Sequence, residues 1–384
     1  MEKNPEFDDI RPFYDDEVAP AIGRLLNDSQ FREGMNRLFQ EKDREQIEQL
    51  MRTLTNLLDF QHFIESTVNK VLNQTTTDVT GGGLENVSKS TAYTYVSNHR
   101  DIIWDVALLV VFLLGNGYET TVEIAMGDNL LLTDWIKDMV RLNKSFIVKR
   151  NLPIRQIHEA SVHLSKYIHF TILNKKQSIW IAQREGRAKD SNDRTQESLL
   201  KMLAMGSDRN FLESLSEINL TPTTFSYEYD PCDFLKAKEF QQKRDNPDFK
   251  KTQDDDSLNM QTGLFGYKGR VHLQIGRPIN PLLAELDRSL KINELAKKVA
   301  AIIDKEIFLN YKFFPINYIT YDRLWGKNFF REQYTADDIK NVDRYFQQQT
   351  DKIDLPNKDI SYLTGKLEEM YAYPVKNFLS VSSE

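Results

Sequence analysis

The feature that most constrains this chain is an alternation. Between residues 92 and 229, the short strand-like runs "AYTYVS", "TTVEIAMG", "SFIVKR", "SIWIAQ" and "TPTTFSYEY" follow one another. Helical stretches separate the first four: "WDVALLVVFLLGNG", "LLLTDWIKDMVRLN" and "IRQIHEASVHLSKYIHFTIL". Strands alternating with helices of that length indicate an α/β fold with a mostly parallel central sheet flanked by helices. "GRVHLQIGRPI" supplies a later strand.

The flanks read differently. From about residue 8 to 73, apolar positions recur at helical spacing, as in Leu50, Met51, Leu54, Leu57 and Leu58. "NQTTTDVTGGG" (Asn73 to Gly83) is polar and glycine-rich and reads as a linker or long loop. The expected organisation is an N-terminal helical region (1–75), an α/β domain (84–284) and a C-terminal helical region with a tail (285–384), its last ten residues frayed. "KRDNPDFKKTQDDDS" (Lys243 to Ser257) is poor in apolar residues and reads as a mobile surface loop.

Charge and apolar content narrow the partners. A net charge of −7 argues against a protein that works by covering nucleic-acid phosphates. The single cysteine, Cys232, rules out an internal disulfide framework and a thiolate metal cluster, and fits a reducing compartment. The acidic N-terminal stretch lacks the apolar core of a signal peptide. The longest uncharged apolar run, Val106 to Gly115, is too short for the roughly 30 Å of a bilayer core.

In open α/β sheets ligands bind beyond the carboxyl ends of the strands, so the residues after each strand are the place to look for chemistry. "TYVSNHRDIIWDVALL" (Thr94 to Leu109) places His99 between a strand and an apolar helix, with Asp101 and Asp105 nearby. A neutral imidazole, with an unperturbed pKa of about 6.5, suits a general base and needs a carboxylate on its other nitrogen to fix tautomer and orientation. Asp101 and Asp105 are the candidates, and Asp101 also suits the N-cap of the helix. On a helix, six positions turn the side chain by about 240°, so His99 must lie in a loop to meet Asp105.

"SFIVKRN" ends a buried strand in Lys149 and Arg150, two cations suited to an anion. "WIAQREGRAKD" runs a strand into Glu185 and Gly186, flanked by Arg184, Arg187 and Lys189; the glycine permits a tight turn close to a ligand. In "LTPTTFSYEYDP", Pro222 introduces another strand, with the look of an edge proline. His158, His163 and His169 stand five and six residues apart on one helix, the wrong spacing for a metal clamp, and no metal site is expected.

Taken in order, these four blocks resemble those of the glycerolipid acyltransferase superfamily, which includes the glycerol-3-phosphate and 1-acylglycerol-3-phosphate acyltransferases. The resemblance covers roughly residues 85 to 280, and "EIAMGDNLL" and "GRVHLQIGRPI" resemble the family's intervening and closing strands. The family box has four residues between His and Asp; here five separate His99 from Asp105, and the "DVALL" that follows matches the family's continuation. The third block carries Arg three positions after Glu, whereas this chain has Ala188 there, between Arg187 and Lys189. "SYEY" leans towards the glycerol-3-phosphate branch.

The resemblance implies an O-acyltransferase of phospholipid biosynthesis, taking a fatty acyl group from acyl-CoA or an acyl-carrier protein as co-substrate, with no other cofactor. The acceptor is glycerol-3-phosphate or a lysophospholipid, 1-acylglycerol-3-phosphate. It implies His99 as base with Asp105 or Asp101 as its partner, and Lys149, Arg150, Glu185, Gly186, Arg187, Lys189 and Pro222 as acceptor-binding residues. Acyl transfer to an amine is the alternative chemistry. A lipid- or carrier-binding member with a decayed box is the alternative of another class. The expected location is cytoplasmic, with transient contact at the membrane face through Val106 to Gly115 and the cations Lys144, Lys149, Arg150 and Arg155.

Overall fold

The computed structural model describes residues 3–382 apart from Phe39, Leu132 and Asn151. Four helices come first: α1 (Asp15–Asn27), α2 (Ser29–Leu38), α3 (Glu41–Thr53) and α4 (Leu57–Thr75). The alternating part follows as β1 (Thr76–Gly82), β2 (Thr94–Ser97), α5 (Trp104–Gly115), β3 (Glu123–Gly127), α6 (Asp134–Leu142), β4 (Ser145–Val148), α7 (Ile154–Leu173) and β5 (Ile179–Ala182). Two short helices, α8 (Glu197–Leu203) and α9 (Phe211–Glu217), lead to β6 (Leu220–Tyr227). Then come α10 (Asp233–Asp245), α11 (Gln253–Phe265), β7 (Gly269–Ile275), α12 (Asn280–Ala284) and α13 (Ile292–Leu309). The last helices are α14 (Pro315–Tyr321), α15 (Ala336–Asp351) and α16 (Ile360–Ser382).

The strands form one sheet in the order β1-β7-β6-β2-β5-β3-β4. The five strands from β6 to β4 are parallel; β7 runs antiparallel to β6 and parallel to β1. Both faces are covered, which explains why the inner strands are apolar or small throughout rather than alternating. One face packs under α5, with Tyr95, Trp180, Phe225 and Leu109 in its core. The other packs under α7, α8, α9 and α13, around Val96, Ile168, Ile181 and Ile303. β2 lies between β5 and β6, so the chain crosses from one side of it to the other, and the end of β2 is the switch point of the sheet.

Four expectations need correction. Residues 76–82 are not a linker: they form β1, paired with β7, and Gly81 is there because the ring of Phe112 occupies the space a side chain would take. The stretch Lys243 to Ser257 is mostly helical. α10 runs to Asp245, and α11 opens with a capping box between Thr252 and Asp255, leaving a short exposed connection. The tail is not frayed among the described residues, because α16 continues to Ser382 and buries Pro374, Val375 and Asn377. Pro222 is not on an edge strand but inside the sheet opposite Val96, buried, with its carbonyl accepting from Gly276 N at 2.8 Å.

The N-terminal helices pack directly on the α/β body. Phe31, Met35 and Leu54 share a core with Leu142 and Trp135 of α6. Ahead of α1, the chain runs beside the free edge of β4, where Ile147 N donates to Ile10 O at 2.8 Å. Covering an edge strand in this way removes a template for unwanted pairing.

Candidate active site

The site forms where β2 ends. Asn98 is fully buried and uses both ends of its amide on Phe225: Nδ2 donates to the carbonyl at 2.9 Å, and Oδ1 accepts from the backbone N–H at 2.8 Å. That pair of bonds extends the β2–β6 ladder by one side chain and sets the exit direction of the chain. The next residue is His99.

His99 Nδ1 lies 2.8 Å from Asp105 Oδ2. The additional residue of the box is absorbed by the turn over Ile102 and Ile103, so the loop folds back over the first turn of α5. Asp105 is wholly buried and fully used. Its Oδ2 also accepts from Arg100 N at 2.7 Å and Asp101 N at 3.1 Å, and its Oδ1 accepts from the Tyr227 hydroxyl at 2.8 Å. Burial first, then Asp105, push the Tyr227 phenol well above its usual range and keep it a donor. A carboxylate only accepts, so Nδ1 of His99 carries the proton and the Nε2 lone pair is free for a substrate. The ring stands edge-on to Trp180, whose indole N–H is fixed on Ser97 Oγ at 2.9 Å.

Asp101 plays the capping part. Its Oδ1 accepts from Ile103 N and Trp104 N, each at 2.9 Å. Burial, then the charge of Asp105, raise its carboxyl above the usual range. α11 closes over this turn: Trp104 Nε1 donates to the carbonyls of Gly263 (3.0 Å) and Leu264 (3.2 Å), and Gly263 leaves room for the Asp101 carboxylate.

The predicted cations divide. Arg150 crosses the end of β3 towards Glu185, 3.8 Å away, and its backbone N–H is held by Asp128 at 3.1 Å. A side chain at Gly127 would stand 2.9 Å from Arg150 Nε, so glycine is what lets the guanidinium lie there. Gly186 has φ 69°, a left-handed conformation that turns the third block back over the sheet. Arg187 donates to Asn259 of α11 at 3.0 Å, and its other terminal nitrogen is buried without a protein partner, as is Arg184 Nε.

Lys149 and Lys189 point elsewhere. Lys149 pairs with Asp9 of the N-terminal segment, and Lys189 with Glu239 of α10, where burial brings its ammonium down to about 8. Lys144 lies at the opposite end of β4 from Lys149 and Arg150, buried against Thr120 (2.8 Å) and Gln177 (3.0 Å). The cationic patch expected from Lys144 to Arg155 therefore loses its first member, and Val106 and its helix are largely buried rather than available to a membrane. His163 bonds Asp9 at 3.0 Å and His169 bonds the Leu203 carbonyl at 3.0 Å.

Sequence reasoning missed the supports of the dyad. Tyr227 stood in the "SYEY" that closes the fourth block, and the only signal for it was a phenol at a strand end. Arg100 gave no signal at all. Its guanidinium pairs with buried Asp193 (2.6 Å) and reaches the Tyr311 hydroxyl (3.4 Å), and its carbonyl accepts from the buried ammonium of Lys236 at 3.0 Å. Lys236 also pairs with Asp230, whose backbone N–H donates to Tyr371 of α16 at 2.9 Å.

Residues 78–215 match the acyltransferase family, a span that begins within β1 and holds β2 to β5, the His99–Asp105 pair, Arg150 and Glu185. A solved structure similar to this one is that of the 1-acyl-sn-glycerophosphate (LPA) acyltransferase PlsC from Thermotoga maritima, at 13% identity and a TM-score of 0.39 over 75% of this chain and 93% of that one. No curated protein matches the sequence.

Proposed function

We propose, from the acyltransferase domain that residues 78–215 of this chain form, that the protein moves a fatty acyl group from a thioester carrier to the hydroxyl of glycerol-3-phosphate or 1-acylglycerol-3-phosphate. The reaction belongs to phospholipid synthesis. The carrier is acyl-CoA or an acyl-carrier protein.

The observation that supports this reading best is the His99–Asp105 pair, 2.8 Å apart at the switch point of the sheet. In the proposed step, Nε2 of His99 takes the proton of the acceptor hydroxyl as its oxygen attacks the thioester carbonyl. The new C–O bond forms, the C–S bond breaks through a tetrahedral intermediate, and the imidazolium returns the proton to the departing sulfur. Asp105 stabilises the imidazolium and keeps the proton on Nδ1. Neither a metal nor a covalent enzyme intermediate enters this scheme.

Arg150 and Arg187 are the cations proposed for the acceptor phosphate. Arg150 is held by Glu185 across the sheet, and Arg187 has an unpartnered nitrogen next to α11. Lys149 and Lys189, both engaged by carboxylates, are left out of the acceptor site. No helix among the described residues is long and apolar enough to cross a membrane, and the greasy product is reached in this reading by peripheral contact with a bilayer.

The test is a thiol-release assay on the purified chain. Palmitoyl-CoA and palmitoyl-carrier protein are offered with glycerol-3-phosphate, 1-acylglycerol-3-phosphate and an amino acid in turn, and products are weighed by mass spectrometry. Release that depends on one of the two phosphorylated acceptors, with an ester product, supports the proposal. Release that depends on the amine, or none with any acceptor, overturns it.

A further inference from the structure

The two oxygens of Asp105 are unequally served. Oδ2 faces three donors, the Nδ1–H of His99 at 2.8 Å and the backbone N–H groups of Arg100 and Asp101 at 2.7 and 3.1 Å. Oδ1 has one donor among the described residues, the hydroxyl of Tyr227 at 2.8 Å. Three hydrogen bonds on one oxygen leave a carboxylate free to swing about that oxygen; a bond on the second oxygen fixes its plane. Asp105 is wholly buried, so bulk water does not stand in for the phenol, and a buried charged oxygen without a donor is costly.

The sheet puts Tyr227 in place for this bond. It is the last residue of β6, and alternate residues of a strand share a face, so it stands with Phe225 in the core that also holds Tyr95, Trp104 and Trp180. Its backbone lies opposite Val271 of β7, and just beyond it Glu228 pairs with Arg270 at 2.7 Å, joining the two strands. The phenol thus reaches Asp105 from a strand, whereas His99 reaches it from the loop after β2. Tyr227 lies beyond the matched span of residues 78–215.

We propose that Tyr227 is a positioning residue for acyl transfer: its hydroxyl holds the Asp105 carboxylate in the plane that keeps Oδ2 on Nδ1 of His99, with Nε2 turned to the acceptor hydroxyl. It touches no substrate and carries no proton in the reaction. The proposal rests on the glycerolipid reading, in which His99 is the base. With the hydroxyl gone, Oδ1 turns towards the N–H groups of Arg100 and Asp101 and draws Oδ2 off the imidazole. A misplacement of about 1 Å at a reacting group costs on the order of 10²-fold in rate.

Tyr227→Phe keeps the ring in the core and removes the hydroxyl alone. It is expected to lower kcat by about 10- to 100-fold and to leave both KM values within about twofold, since Arg150 and Arg187 bond elsewhere. In an Asp105→Ala background the same change should cost nothing further, because a residue that acts through Asp105 has nothing left to act on. Tyr345→Phe, which takes a hydroxyl from another buried carboxylate, Asp233 (2.6 Å), should lower the melting temperature and leave kcat unchanged. ¹⁵N NMR of the histidine rings, with the His99 signals identified by their loss in His99→Gln, reads the geometry without substrate. Wild type should carry the proton on Nδ1, and Tyr227→Phe should show faster exchange of that proton or a share of the Nε2–H tautomer. The proposal is overturned if wild-type His99 is protonated on Nε2, or if Tyr227→Phe leaves the ring spectrum or kcat as in wild type. It is equally overturned if the loss adds in full to that of Asp105→Ala, or if Tyr345→Phe lowers kcat as much. The ring spectrum judges Tyr227 even where the acyl-transfer assay overturns the glycerolipid reading, so the two failures are distinguishable.

Discussion

Asp105→Asn tests the dyad in a way this geometry makes specific. In other His–Asp pairs the amide can turn its NH₂ towards the imidazole and reverse the tautomer, at a cost of about 10⁴ in turnover. Here the position facing His99 is also faced by the N–H groups of Arg100 and Asp101, at 2.7 and 3.1 Å. An NH₂ placed there would meet two donors, so the carbonyl oxygen must occupy it and the NH₂ must face Tyr227, whose oxygen can accept. The Nδ1–H tautomer therefore survives, and what is lost is the negative charge beside the imidazolium of the transition state. Two unit charges about 4 Å apart at an effective dielectric of 20 attract by about 4 kcal/mol. The amide dipole recovers part of this, leaving a loss of about 2–4 kcal/mol, or roughly 30- to 1000-fold in turnover. The assay is acceptor-saturated thiol release, paired with ¹⁵N NMR of the histidine ring to read the tautomer. A 10⁴-fold loss with the proton moved to Nε2 would show that the two backbone amides do not set the amide orientation. Turnover within threefold of wild type would remove Asp105 from the reaction.

Three further outcomes follow from the same geometry. His99→Ala should lower turnover by about 10²–10⁴ with an unchanged circular dichroism spectrum, because its ring lies at the rim of the core; activity within threefold would exclude it as base. Arg150→Ala should raise the acceptor KM by about 10- to 100-fold and leave the thioester KM alone, whereas Lys189→Ala, which leaves Glu239 paired with Lys243 and Lys251, should leave both KM values alone; the reverse ranking would return Lys189 to the acceptor site. Lys144, brought down to about 8 by burial, binds fewer protons folded than unfolded between about pH 8 and 10.5, so its share of stability rises with pH across that window. The melting temperature of Lys144→Met relative to wild type should accordingly fall between those pH values, and a constant difference would refute the burial argument.

The legible parts of this chain were those where one physical signal dominates. The alternation of apolar runs gave the parallel strands, because a doubly covered sheet leaves no polar face to confuse the pattern. The His99–Asp105 contact was legible since an imidazole between a strand and a helix has few partners within reach, and the "DVALL" run that matches the family's continuation favoured Asp105 over Asp101 despite the extra residue in the box. β1 was misread because threonine and glycine serve loops and edge strands alike, and only the neighbouring Phe112 ring decides between them. The partners of the cations were not legible for a related reason. Lys149, Arg150, Arg187 and Lys189 are equivalent as letters, and the carboxylates that capture two of them, Asp9 and Glu239, are distant in sequence. Tyr227 and Lys236 act through contacts made more than a hundred residues away, which no local pattern encodes.

The bond from Lys236 to the Arg100 carbonyl has a consequence for where this protein can be cut. All four sequence blocks lie before residue 230, so a chain ended near residue 284 would keep every group that touches substrate in the proposed reaction. It would nevertheless lose Tyr311 from the Arg100–Asp193 cluster and Tyr371 from Asp230, along with Tyr345 and Gln349 from the buried Asp233 carboxylate. Buried charges stripped of partners are among the costliest defects a fold can carry. The last hundred residues are thus less an appendage than a scaffold bolted to the residue beside His99. A shortened chain with an intact histidine box should melt early and turn over poorly, and grafting the box region onto another C-terminus should fail unless these tyrosines travel with it.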